Sequence, residues 1–333
     1  MIARRGLCLA LGLALLFTLP GCNRDGGGGG KGKPRIAVIP KGTTHEFWKS
    51  VHAGAVKASR ELDVEIVWKG PLKEDDLKAQ IDVVQSFTAQ GVSGIVLAPL
   101  SDKALGASVK GAVSAGIPVA IFDSDLAGQD HISFIATDNV AAGRLAGDHM
   151  AKLLNGTGNV VVLRYQEGSA STANRERGFL EAIQKHPGIK IVSENQYGGA
   201  TTESAFATSE NLLSAQKAEG GSVSGVFCPN ESTTFGMLLA LQKAGIAGKI
   251  KFIGFDSSSK LVEGLRQKHI DALVLQNPFN IGYMAVKTMA RKLRGEAVEA
   301  RIDTGAQLVT GENMGEPDIK ELLEPDLKKW LGE

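Results

Sequence analysis

Residues 35–68 read RIAVIPKGTTHEFWKSVHAGAVKASRELDVEIVW. The stretch 35–39 is a short β-branched run of strand length. Beyond a Pro-Lys-Gly turn, Phe47, Val51, Ala55, Ala58 and Leu62 recur at helical spacing and fall on one face. The stretch 64–68 is again apolar and strand-like. Working outward, Leu77, Ile81, Val84 and Phe87 mark a second helix. Strand, helix, strand and strand follow at 94–98, 102–115, 118–122 and 132–136. Near-continuous apolar strands between amphipathic helices predict a parallel sheet covered on both faces.

The rhythm then repeats. Helices are predicted over 140–154, 173–185, 202–218, 233–244, 257–268 and 279–293. Strands are predicted over 159–163, 189–195, 225–228, 250–255 and 272–276. Two units of similar size predict an α/β fold of two doubly wound parallel-sheet lobes joined by a multi-crossover hinge. One lobe takes 34–137 plus 277–303 and the other 138–276 plus 304–333. Crossovers are expected near 137–139, 276–278 and 303–305. The tail over 315–330 is expected to pack a short helix on the second lobe.

The N-terminus carries Arg4 and Arg5 ahead of an apolar run over 7–19. Charge followed by a short greasy stretch is the pattern of a secretory signal, and the run is shorter than the roughly 20 residues a membrane helix needs. Leu19-Pro20-Gly21-Cys22 resembles the lipobox of bacterial lipoproteins. That resemblance implies a signal peptide over 1–21, lipidation of Cys22, and an exported chain anchored at the periplasmic or extracellular face of a membrane. An ordinary soluble export signal is the alternative. Gly26 to Gly30 and the residues around them, 22–33, form a tether, because five successive glycines cannot pack a core.

The 333 residues hold 37 basic and 36 acidic side chains. Removing Arg4 and Arg5 with the signal leaves the charges nearly balanced, which favours neither nucleic acid nor an acidic membrane surface. Of three cysteines, Cys8 lies in the signal and Cys22 in the lipobox. Cys228 is left alone in an apolar run and reads as a buried thiol. No metal or other cofactor is implied. The histidines are scattered, and Asp123-Ser124-Asp125 begins a calcium-loop pattern that Ala127 and Phe134 break. Gly30-Lys31 is followed by Gly32 where a phosphate loop needs Ser or Thr. Neither a nucleophile elbow nor a dinucleotide fingerprint follows the first strand.

Open parallel sheets bind ligands beyond the carboxyl ends of their strands. That rule selects Lys41, His45, Phe47 and Trp48 after the first strand, Asp123 after 118–122, and Arg175 after 159–163. It also selects Asn230, Asp256 and Gln276 at the ends of 225–228, 250–255 and 272–276. Planar polar groups of this kind can bridge neighbouring hydroxyls, and aromatic faces suit the C–H faces of a sugar ring. Each residue also has a purely structural use. Asp123, Asp256 and Asn230 can cap a turn or helix. Arg175 can pair with Glu176 or Glu181, Phe47 and Trp48 can face the core, and Gln276 can serve the hinge alone.

The chain resembles the bacterial periplasmic solute-binding proteins of the ribose- and galactose-binding type, relatives of the ligand-binding core of lac-repressor-type regulators. The resemblance runs over nearly all of 34–310. It rests on Thr44-His45-Glu46-Phe47-Trp48, Ile121-Phe122-Asp123, Ala136-Thr137-Asp138-Asn139, Asn174-Arg175-Glu176-Arg177-Gly178-Phe179, Pro229-Asn230-Glu231, Gly254-Phe255-Asp256 and Gln276-Asn277-Pro278. It implies ring-stacking roles for Phe47 and Trp48, and polar ligand contacts for Asp123, Arg175, Asn230, Asp256 and Gln276. Lys41 and His45 stand where relatives use small polar or amide side chains. Ser124 replaces an arginine and Ala98 an asparagine of ribose binders, departures that set this pocket apart from theirs, and the resemblance implies a monosaccharide or polyol whose identity it leaves open. Tyr165 and Glu167 are nearby groups able to reshape the pocket. The implied role is that of a monomeric, non-enzymatic substrate-binding lipoprotein serving an ABC permease and ATPase complex. A protein presenting ligand to a receptor kinase or chemoreceptor is the alternative.

Overall fold

A computed structural model describes residues 32–332. The signal, Cys22 and the glycine tract lie outside the described residues. In chain order the first elements are β1 (Arg35–Ile39), α1 (Glu46–Leu62), β2 (Glu65–Trp68), α2 (Leu77–Ala89), β3 (Gly94–Leu97), α3 (Gly106–Ser114), β4 (Val119–Phe122) and β5 (Phe134–Ala136). Next come α4 (Asn139–Leu153), β6 (Thr157–Arg164), α5 (Ala170–Ile183), β7 (Gly188–Tyr197), α6 (Thr202–Ala215), β8 (Gly225–Phe227), α7 (Glu231–Lys243), β9 (Lys251–Phe255), α8 (Ser259–Arg266) and β10 (Ala272–Gln276). The chain closes with α9 (Pro278–Leu293), β11 (Arg301–Asp303), β12 (Ala306–Thr310), α10 (Pro317–Leu323) and α11 (Lys328–Leu331).

The strands form two six-stranded sheets, ordered β11-β5-β4-β3-β1-β2 and β12-β10-β9-β8-β6-β7. Every pairing is parallel except β12 on β10. The two orders are the same pattern repeated. Strands β3, β4, β8 and β10 are buried along their whole length, as sheets covered on both faces require. Apolar clusters lie on each side of each sheet, for example Val38, Val51 and Phe122 opposite Ile39, Val84 and Leu97 in the first. The fold is the expected α/β pair of doubly wound sheets.

Two helices change partners. α4 follows the first sheet but packs on α5, and α9 follows β10 but packs back on α1. Each crossing is closed by facing glycines. A Cβ added at Gly54 or Gly282 would strike the carbonyl of Phe279 or Val51, and one added at Gly143 or Gly178 would strike that of Arg175 or Val140. Helix backbones touch there because no side chain intervenes. Asp138 caps α4 through the N–H groups of Val140 and Ala141, and Asn277 caps α9 through that of Asn280. Near these caps the strand-connecting segments are tied together: Thr137 Oγ1 donates to the Gly305 carbonyl at 3.0 Å, and Asp303 Oδ1 accepts from Asp138 and Gly305.

Three local readings are revised. The helix expected over 102–115 starts at Gly106, because Ser101 Oγ accepts from the N–H groups of Lys103 and Ala104 and holds a turn. β11 and β12 were not anticipated; both are short edge strands of mixed polarity, partly exposed. The tail assigned wholly to the second lobe also reaches the first. Ile319 and Leu323 enter the core beside β10, and Arg266 pairs with Glu324 at 2.6 Å. Trp330 then lies on Phe279, with its carbonyl accepting from Arg60 of α1 at 3.1 Å. Aromatic area and a cation on its face make that end stick to α1 and α9.

Candidate ligand-binding site

The carboxyl ends of β1, β4, β6, β8, β9 and β10 face one another across the two sheets. Lys41, His45, Phe47, Trp48, Asp123, Arg175, Asn230, Asp256 and Gln276 all line one cavity of about 30 Å³ there. All nine residues singled out from the sequence are therefore brought together.

Two carboxylates anchor the arrangement. Asp123 follows β4 and Asp256 follows β9, each directly after a buried Phe and each with a left-handed backbone, φ 61° and 67°. That conformation is uncommon for a residue with a side chain. Asp123 meets Lys41 Nζ at 3.4 Å. The same ammonium donates to Ser169 Oγ at 3.2 Å and Ser171 Oγ at 3.0 Å, so it ties the first sheet to the loop and helix after β6. Asp256 accepts from Gln276 Nε2 at 2.7 Å and from the Glu231 N–H at 3.1 Å, with Arg175 Nη1 at 3.8 Å. Burial pushes the Asp256 carboxyl above its ordinary value, against the pull of Arg175 and Gln276.

Arg175 is almost wholly buried and does not pair with Glu176 or Glu181 as a surface helix residue would. Its Nε donates to Asn139 Oδ1 at 2.7 Å, its Nη1 donates to the Pro229 carbonyl at 2.9 Å, and its plane lies over Phe255. Asn230 does act as a cap: its Oδ1 accepts from the Thr233 N–H and hydroxyl, while Nδ2 donates to Ser232. Asp256 is not a cap, because Ser258 holds that position for α8. Phe47 and Trp48 serve both uses considered for them. They line the cavity and belong to the core cluster, edge to face at 4.9 Å.

Glu74, Tyr165, Ser171, Thr172 and Glu231 also line the cavity. Tyr165 had been noted as a neighbour; Glu167, noted beside it, is exposed. Glu74 had no advance signal except its place in the loop after β2, within Glu74-Asp75-Asp76, which reads as a solvated acidic run. Its neighbours Asp75 and Asp76 are exposed, while Glu74 is 6% exposed. His45 Nδ1 and Trp48 Nε1 donate to its Oε1 at 2.6 and 2.7 Å, and the Tyr165 hydroxyl donates to Oε2 at 2.6 Å. Burial works against charge on His45, but Glu74 carries the imidazole up to about 9. Burial likewise opposes charge on Glu74, yet His45 and its hydrogen bonds hold that carboxyl down at about 2. Burial lifts Glu231 to about 7, although it accepts from the Phe47 N–H at 3.1 Å.

The polar side chains that line the cavity come from strand ends of both sheets and the segments that follow them. Among the described residues no cluster of three His, Cys, Asp or Glu side chains is placed to hold a metal, and no helix is long and apolar enough to cross a membrane.

Residues 36–297 match the periplasmic binding protein domain. This chain belongs to that family. It is of the family's ribose- and galactose-binding type. The ribose import binding protein RbsB of Salmonella typhimurium is 30% identical over 281 residues, spanning 83% of this chain and 90% of that protein. The periplasmic component of an ABC-type sugar transport system from Hahella chejuensis is 36% identical with a TM-score of 0.79, covering 83% of this chain and 100% of that one. A carbohydrate transporter solute binding protein from Agrobacterium radiobacter, in complex with D-arabinose, is 34% identical with a TM-score of 0.83, covering 88% of this chain and 100% of that one.

Proposed function

We propose that this protein captures a neutral monosaccharide or polyol between its two sheets and delivers it to an ABC-type permease and ATPase. The observation that carries the reading is the convergence of nine strand-end side chains from both halves on one buried cavity. Each cation in it has a carboxylate partner, Lys41 with Asp123, His45 with Glu74, and Arg175 with Asp256, while burial pushes the fourth carboxyl, Glu231, towards its neutral form. Such a balance suits a ligand that brings hydroxyls and no net charge. Relatives named for ribose and D-arabinose support the same class.

Each half contributes groups to the ligand, so binding favours the closed arrangement by differential affinity. The lobes in this reading are 34–137 with 277–303 and 138–276 with 304–333, hinged where Thr137, Asp303 and Gly305 are tied. A cavity of about 30 Å³ is smaller than a sugar, so entry requires the halves to part. The chain acts as an exported monomer, cut before Cys22 and anchored by lipid there, with the glycine tract as tether. No covalent chemistry is involved.

Isothermal titration of the purified chain against neutral monosaccharides and polyols tests this. At least one is expected to bind at one per chain well below millimolar; binding of none at that level would sink the reading. Mass spectrometry of membrane-extracted protein is expected to find diacylglyceryl on Cys22, and a free thiol there would remove the anchor while leaving ligand capture intact.

A further inference from the structure

The fully buried end of the cavity is organised around a group that no sequence motif marks. Glu74 comes from the loop between β2 and α2, yet its two carboxylate oxygens receive three donors from two other segments. His45 and Trp48, at the start of α1, share Oε1 at 2.6 and 2.7 Å, and Tyr165, at the end of β6, reaches Oε2 at 2.6 Å. The backbone carbonyl of Glu74 also accepts from Gln166 Nε2 at 3.0 Å. Two of these four bonds cross from one half of the molecule to the other. A buried carboxylate engaged this fully has little acceptor capacity left for a ligand.

We propose that Glu74 is the positioning residue of the site: it sets the side chains of His45 and Trp48, latches Tyr165 when the halves close, and makes His45 a donor-only contact for an oxygen of the ligand. This rests on the sugar-binding reading and adds a rule to it. With Nδ1 committed to Glu74, Nε2 is the ring nitrogen left for a ligand. A charged imidazole offers a hydrogen there and accepts none. The ligand atom it meets is therefore an oxygen acceptor, such as a hydroxyl, ring or carbonyl oxygen. An ammonium in that place is refused, so a sugar carrying its amine there binds worse than its hydroxyl counterpart.

The charged groups around His45 agree with this assignment. Glu74 faces it from the loop after β2, Glu231 from α7 and Asp256 from the end of β9, all favouring the cation. Lys41, after β1, acts on Glu74 in the same sense as His45. Tyr165 is held in its neutral, donating form by burial and by the neighbouring carboxylates.

The test uses the full chain with the His45 ring followed by NMR and affinity measured for D-ribose, D-arabinose, D-galactose, D-fucose and D-allose, with D-galactosamine beside D-galactose. In the wild type the His45 ring is expected to titrate near 9, and affinity for the sugar that binds is expected to fall across the same range. Glu74→Gln keeps the shape and removes the charge. It is expected to bring the ring titration below 7, weaken binding at pH 7.5 at least about tenfold, and shift the affinity profile down with the ring. Tyr165→Phe removes only the latch, so it should weaken binding while leaving the ring titration in place. The assignment is overturned if Glu74→Gln changes melting temperature but moves neither the ring titration nor the pH profile of binding. It is equally overturned if the amino form of the bound sugar, with its amine at the position that meets His45, binds as tightly as the sugar itself. If none of the five sugars binds, the NMR titration still decides the Glu74–His45 pairing, and the wider titration against monosaccharides and polyols decides the sugar-binding reading.

Discussion

Asp123 ends β4 and Asp256 ends β9, the fourth strand of each half in chain order, and both leave the strand through the same left-handed turn after a buried Phe. Their surroundings differ. Asp256 is held by Arg175, Gln276 and the Glu231 N–H, all from its own half. Asp123 is held by Lys41, which at the same time reaches across to Ser169 and Ser171. In the closing motion proposed above, the second half builds its wall before closure, while the first half gains the Ser169 and Ser171 contacts of Lys41 by closing. One frame used twice, with different side chains at matching strand ends, separates a rigid wall from a responsive one.

The largest expected effect is on the rigid wall. Arg175→Met strips Asp256, Asn139 and the Pro229 carbonyl of a buried guanidinium. Urea unfolding is expected to show a loss of about 3–5 kcal/mol, the usual result of leaving one member of a buried pair behind. A loss below 1 kcal/mol would mean that the second half is as adaptable as the first.

The responsive wall has a pH signature. His45 is raised to about 9 and Glu74 lowered to about 2, and the two shifts describe one interaction. The imidazole contribution is fully present below 6.5 and is lost as pH rises through 9. The carboxylate contribution is present above 4.5 and is lost as pH falls through 2. The contribution of this pair is expected to plateau between these limits and decline by on the order of 2–3 kcal/mol towards pH 9, on top of the loss between 4.5 and 7 from the raised Glu231. His45→Gln should flatten that decline, and an unchanged slope would assign it to other groups.

The exchanged helices test the symmetry itself. Gly54→Ala and Gly178→Ala each force a methyl against a facing backbone carbonyl, and each is expected to cost about 1–3 kcal/mol in thermal unfolding. Costs that differ by more than that range would show one crossing to be looser than its counterpart. The smallest effects belong to the matched caps. Asp138→Ala and Asn277→Ala are expected to lose about 1 kcal/mol each, measured by the same melts.

Most of the frame was legible in the sequence because buried parallel strands write themselves as apolar runs and their helices as stripes. The strand-end rule then collected residues far apart in the chain, from Lys41 to Gln276, into one cavity. Glu74 escaped because a carboxylate beside Asp75 and Asp76 looks solvated, and only the fold shows which of the three turns inward. β11 and β12 escaped because an edge strand needs one covered face at most, so its polarity alternates weakly. The last helix, Lys328–Leu331, is too short to carry a stripe, and Trp330 attaches it to Arg60 of α1 and Phe279 of α9.

The exchange of α4 and α9 also bears on how the chain is made. The face of the first sheet around Val38, Val51 and Phe122 is covered partly by Ile281, Ala285 and Met289 of α9, close to the end of the chain. A ribosome must therefore synthesise almost the whole protein before its first-made sheet can bury that face. Contacts so distant in sequence form slowly. Under the export proposed above, that delay favours an unfolded nascent polypeptide during passage, and the helix that completes the first half arrives with the material that completes the second.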